Sequence, residues 1–181
     1  MSPDTSRPLA GSKADDQPLP GRPVCAEDVI KHCDPLAGAR LRGIELKREI
    51  FDSVESLTAD EVARRLGVDH SNVRDLVAAG KLLELRHPTD RERVRYPDWQ
   101  LEEPVLKALP PILESMRSLD GWEIWLFLTS ADPVLRQLAP LEVMRGRTES
   151  AEDMERLQEL VTGNEEGVLL ETAARRFVAD D

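Results

Sequence analysis

The chain has 181 residues, of which 40% are hydrophobic, 4% aromatic and 33% charged, and its formal net charge is −11. That length suits one domain or two small ones, the scarcity of aromatics favours small helical units with aliphatic cores, and the acidity argues against a general nucleic-acid coat. No run approaches the ~18 apolar residues needed to cross a bilayer, and Met1-Ser2-Pro3-Asp4 opens no hydrophobic signal core, so a cytoplasmic location without a membrane partner is expected.

Residues 1–35 read as a disordered tail. Pro3, Pro8, Pro18, Pro20, Pro23 and Pro35 stand among Gly, Ser, Asp and Lys, with few apolar residues. Cys25 and Cys33, with His32 beside the second, fall short of the roughly four ligands a zinc site needs. No metal and no cofactor are expected. Residues 36–55 read as a helix whose apolar stripe is Leu41, Ile44, Leu46, Ile50, Phe51 and Val54, with Arg40, Arg42, Lys47 and Arg48 around it.

Residues 58–80 carry the strongest local signal. Thr58 and Glu61 make a capping box at a helix start. Val62, Ala63 and Leu66 form one apolar face, and Gly67 stands where a tight turn needs positive φ. Val68, Val73 and Leu76 carry the apolar set onto a second helix, which Gly80 ends. The pattern is that of a helix-turn-helix, whose second helix lies in the DNA major groove. His70, Ser71, Asn72 and Arg74 are then the candidates to face the bases, since Asn reads adenine and Arg guanine. From Leu57 to Leu101 eight acids balance eight bases, a neutral segment in an acidic chain. Such a segment binds DNA if its bases share a face, and dimerisation would add to a modest affinity.

After Gly80 the pattern changes to short strands. Leu82, Leu83 and Leu85, a polar turn over His87–Glu92 and the alternating Arg93–Pro97 read as a β-hairpin wing. Lys81, Arg91, Arg93 and Arg95 are the candidates for backbone or minor-groove contact. His87 falls at the wing tip, and Trp99 reads as the residue that packs the wing on the domain.

Residues 104–119 read as helical with a break at Pro110-Pro111. A short apolar helix follows over 121–129. Asp132-Pro133 opens a turn, and Pro140–Arg145 a helix with proline first. An acidic helix spans 149–160, Gly163-Asn164 breaks it, and Val168–Phe177 forms the last one. Trp122, Trp125 and Phe127, at near-helical spacing, read as core. The acidic C-terminal segment reads as a solvated face.

Trp122, then Trp125-Leu126-Phe127-Leu128, then Asp132-Pro133-Val134-Leu135, then Ala139-Pro140-Leu141-Glu142-Val143-Met144-Arg145 resemble the C-terminal toxin-binding domain of the Xre/MbcA/ParS antitoxin family. The likeness covers roughly residues 110–178. It implies a transcriptional regulator or antitoxin that represses its own operon and occludes a RES-domain-type toxin, an enzyme that degrades nicotinamide dinucleotide. Trp122, Trp125, Pro133, Leu135, Pro140 and Leu141 would shape the partner-binding domain. The chain departs from the family pattern in the turn, where Gly-Gly is replaced by Arg136-Gln137 and a basic-then-hydroxyl pair by Leu138-Ala139. The winged DNA-binding half is closer to the excisionase or MerR sort.

The expectation is therefore a mostly α protein: a disordered tail over 1–35, a helix-turn-helix domain with a β-hairpin wing over 36–103, and a small all-α partner-binding domain over 104–181. It would bind double-stranded DNA as a homodimer, and a toxin through its second half. The alternatives are a solo DNA-binding regulator without a toxin, and a protein-interaction module with a vestigial helix-turn-helix. Asp69 and Asp75 beside the presumed recognition helix favour the last. No nucleophile motif, Gly-rich phosphate loop or metal cluster is found, so enzyme function is not expected.

Overall fold

The computed structural model describes residues 36–163 and 166–180. The expected tail, the two cysteines and His32 lie outside the described residues. Residues Arg40–Asp181 form one compact unit; of the remaining unit, Met1–Ala39, the described residues are Leu36–Ala39, of which Ala37–Ala39 begin the first helix.

The protein is mostly helical. Among the described residues the order is α1 (Ala37–Phe51), β1 (Ser56–Leu57), α2 (Ala59–Leu66), α3 (His70–Ala78), β2 (Leu85–Arg86), β3 (Val94–Pro97), a 3-10 turn (Asp98–Leu101), α4 (Glu103–Ser115), α5 (Gly121–Thr129), a second 3-10 turn (Pro133–Leu135), α6 (Pro140–Arg145), α7 (Ala151–Thr162) and α8 (Glu166–Asp180). The small sheet is antiparallel with β3 in the middle: Leu57 faces Tyr96 across β1–β3, and Leu85 faces Arg95 across β2–β3. Among the described residues no helix is long and apolar enough to cross a membrane.

Two apolar clusters hold the chain. The smaller joins Leu57, Val62, Ala63, Val73, Leu82 and Tyr96, so it ties α2 and α3 to the sheet. The larger draws on both sides of residue 104. Phe51, Leu83, Leu85 and Trp99 share it with Leu109, Ile112, Phe127, Leu138, Leu157 and Ala174. The change of sequence character near residue 104 is thus not a gap in the core.

Two expectations are corrected. The helix over 103–115 does not break at its prolines: Pro110 and Pro111 lie inside α4. Each proline removes one backbone donor, but Val105, Leu109, Ile112 and Leu113 bury a continuous face across them. The stripe of α1 is narrower than expected. Phe51 is buried and Ile44 and Ile50 are half-buried, while Leu41 and Leu46 are 65% and 55% exposed. At about 100° per residue, five residues turn Leu46 well away from Leu41, so the two cannot share a face. Val54 lies beyond the helix end and is 95% exposed.

Candidate nucleic-acid interface

The α2–α3 unit forms as its residues dictate. Glu61 donates its backbone N–H to Thr58 Oγ1 (3.3 Å), and the Glu61 carboxylate accepts from the Thr58 backbone N–H (2.7 Å) and hydroxyl (2.7 Å). The Thr58 backbone bond, then the hydroxyl bond, hold the Glu61 carboxyl below its ordinary value. Gly67 closes α2 at φ +67°, and Val68 N–H returns to the Ala63 carbonyl at 3.0 Å. A side chain at that φ would be strained. Gly80, at φ +65°, does the same after α3, with Lys81 N–H bonding the Leu76 carbonyl at 2.8 Å.

Val73 is fully buried on α3, while His70, Ser71, Asn72, Arg74 and Asp75 are all exposed. The four residues picked for base contact therefore stand on the open side of the helix. His70 is not free there: its Nδ1 lies 2.7 Å from Asp60 Oδ1 on α2. Ser71 Oγ reaches Asn72 Oδ1 at 3.5 Å. Arg74 has no carboxylate partner among the described residues.

The β2–β3 hairpin distributes its arginines unevenly. Arg93 and Arg95 alternate on one side, as expected, but that side is turned onto α1. Their guanidinium carbons stand 5.2 and 5.7 Å from the Phe51 ring centroid, and Arg93 also pairs with Asp52 at 3.3 Å. Such cation–ring contacts hold the hairpin against α1. Arg91 is exposed in the connecting loop and, like the exposed Lys81, lacks a carboxylate partner among the described residues. His87 is not at a tip. It is 9% exposed, edge-on to Phe51 at 5.0 Å, with its N–H bonding the Arg93 carbonyl. Packing against the Phe51 ring on α1 holds it inward.

Gln100 is a residue the sequence did not reveal. It is fully buried, and its side-chain amide pairs with the Leu83 backbone in both directions, at 2.7 and 3.0 Å. This fixes the connection between α3 and β2. Nothing in the local pattern marks a lone glutamine for that use.

In the second half, Trp122, Leu135, Pro140 and Leu141 are buried, Trp125 is half-buried and Pro133 is exposed. Trp122 donates its indole N–H to the Arg86 carbonyl (2.7 Å) and meets Trp125 edge-on at 6.2 Å. Most of these residues therefore shape this half from within; Pro133 and Trp125 are the ones with surface to offer. The turn after Pro133 is unusual. Arg136 and Gln137 both adopt left-handed backbone, φ 56° and 68°. Buried Asp132 holds the turn: its carboxylate accepts from Val134 N–H (2.7 Å) and pairs with Arg176 (2.8 Å), and its backbone bonds Leu138.

Beyond residue 101 every Lys and Arg has a carboxylate partner. Arg145 and Arg147 share Glu102, Arg156 spans Glu152 and Asp153, Arg136 meets Glu159, and Lys107, Arg117, Arg175 and Arg176 take Glu103, Glu114, Glu171 and Asp132. Before residue 96, by contrast, Arg42, Lys47, Arg65, Arg74, Lys81 and Arg91 have none among the described residues, and Arg64 lies near enough to Glu61 to help hold its carboxyl below the ordinary value. No group of three or more His, Cys, Asp and Glu residues placed to hold a metal occurs among the described residues. No family model, no curated protein and no solved structure matches the chain.

Proposed function

We propose that the chain is a DNA-binding regulator whose α2–α3 unit is a helix-turn-helix and whose β2–β3 hairpin is its wing. The observation that carries this reading is the set of cations on and around α2 and α3 with no carboxylate partner. Arg65, Arg74, Lys81 and Arg91 are ready for phosphate or base, whereas the cations of the second half are neutralised in place. Ser71, Asn72 and Arg74 present the base-reading groups on the exposed side of α3. Arg93 and Arg95 act mainly by seating the hairpin on Phe51.

The test is selection of bound sequences from a random duplex pool with the full chain. Enrichment of a shared motif supports the reading, and a palindromic motif supports a homodimer. No enrichment, and no binding of any duplex at low salt, would refute it.

A second reading concerns residues 104–181: a docking domain for a toxin of the RES-domain type. The turn supports it. Arg136 and Gln137 take the left-handed conformation that glycine adopts most readily, at the positions where the antitoxin pattern has Gly-Gly. Co-expression with a RES-domain enzyme encoded beside this chain tests it. A stoichiometric complex with suppressed dinucleotide degradation is expected; recovery of the chain alone, with the enzyme fully active, would contradict it.

A further inference from the structure

A cleft of about 750 Å³ opens between α1, the last turn of α3, the connection over 80–88 and the start of α5. That volume is in the range of small-molecule sites. Its inner wall is apolar. Leu83, Leu113, Trp122 and Ile124 line it and belong to the larger core. The wall is closed tightly: a Cβ added at Gly121 would lie 2.1 Å from the Glu84 carbonyl oxygen, so α5 starts hard against the connection.

The polar groups around this wall are one-sided. Of the two acids that line the cleft, Glu84 is taken by the Arg86 guanidinium at 2.7 Å. Asp120 is taken by the backbone N–H groups of Trp122 (2.7 Å) and Glu123 (3.0 Å), as the cap of α5. Lys47 and Arg91 line the cleft with no carboxylate partner among the described residues. Lys47 Nζ stands 5.5 Å from the Trp122 ring centroid. His87 lines the cleft as well, its Nδ1 3.4 Å from the Thr89 backbone nitrogen.

We infer that this cleft binds a small organic anion: a carboxylate, sulfonate or phosphate monoester on an apolar, ring-sized body. The anionic group meets Lys47 and Arg91, and the body lies against the wall at Trp122 and Ile124. The lining carries Lys47, Arg86, Arg91 and Arg117 against the two acids, which favours an anion over a cation, and a bare inorganic anion leaves the apolar wall unused. Val77, Ala78 and Gly80 border the cleft, so its occupant touches the end of α3.

The test needs no DNA. The full chain is titrated with 1-anilinonaphthalene-8-sulfonate, then with N-phenyl-1-naphthylamine, which has the same rings and no sulfonate. Saturable binding of the sulfonate at one site is expected. Lys47→Glu should weaken it about tenfold, the loss of one charge-assisted contact, while leaving the neutral dye little changed. Ala78→Trp, at an exposed position on the rim, should block both dyes without disturbing the core. Sodium sulfate at matched ionic strength should not displace the sulfonate dye. Binding that never saturates, that both variants leave unchanged, or that sulfate alone reverses would overturn the proposal.

Discussion

Between residues 102 and 180 each Lys and Arg stands beside a carboxylate, whereas between residues 42 and 95 two ion pairs, Arg86–Glu84 and Arg93–Asp52, are the lysine- or arginine-to-carboxylate pairs among the described residues. Supply does not explain the difference. The first stretch has eleven acids and eleven bases, enough for complete pairing. Three of its acids are placed elsewhere: Glu61 caps α2, Asp60 faces His70, and Asp90 accepts from the Glu92 backbone; Asp69 makes no side-chain bond at the start of α3. An exposed ion pair contributes little, about 0–1 kcal/mol, so leaving cations unpaired costs the fold almost nothing. What the contrast teaches is that net charge says little about where cations are left unpaired. A chain at −11 still keeps a group of uncommitted cations.

The contrast is one of surface, and the core ignores it. Phe51 belongs to the first stretch, yet it packs in the larger cluster with the helices of the second. Phe51→Ala should therefore destabilise the whole unit by about 3–5 kcal/mol. Chemical denaturation followed by circular dichroism and by tryptophan fluorescence should move together. Two separate transitions would break the molecule into independent halves.

The next effect addresses the surface directly. Arg74→Ala should weaken binding of a selected DNA sequence by about 1–3 kcal/mol and relax its specificity. Arg175→Ala, which removes a cation already paired with Glu171, should leave binding unchanged. Equal losses from the two would erase the distinction between the regions, and anisotropy titrations would reveal them.

Within the second half, Arg136→Gly should stabilise the fold by about 0.5–1 kcal/mol. The left-handed strain is relieved, partly offset by glycine's greater chain entropy. The exposed ion pair to Glu159 is lost at little cost. A lower denaturation midpoint would place the turn's energy elsewhere.

The smallest effect is the pH response of the α2 cap. The Glu61 carboxyl is held below its ordinary value of 4.5, so the unfolded state protonates first as pH falls. Its contribution is present in full above 4.5 and is lost as pH drops through the lower folded value. Glu61→Gln keeps a capping side chain without that titration. Its stability should fall less steeply below pH 4.5 than that of the parent, as denaturation curves at successive pH values would record.

The sequence made the local devices legible. Thr58, Glu61, Gly67 and Gly80 announce caps and turns because each works through its own backbone neighbourhood. Asp132-Pro133 and Pro140 were readable for the same reason. What it concealed depends on partners far away in the chain. Arg93 and Arg95 looked like free wing cations because nothing nearby in sequence points to Phe51. His87 looked exposed in a polar turn, and Gln100 gave no sign of bonding Leu83. Pro110 and Pro111 suggested a break because propensity speaks for each residue alone, while the buried face of α4 acts as a whole. The α1 stripe was overdrawn because apolar residues spaced by five do not share a helix face.

The most direct test of the account is the salt dependence of duplex binding by the full chain, measured for the parent and for charge-neutralised variants of each region. The parent should lose affinity steeply with added salt. Neutralising Arg65 or Lys81 should reduce the slope of log K against log salt by about 0.9 for each phosphate contact removed. Neutralising Arg145 and Arg147, both held by Glu102, should leave it unchanged. Binding without a salt slope, or a slope equally sensitive to both regions, would contradict the claim that the uncommitted cations around α2 and α3 form the nucleic-acid surface.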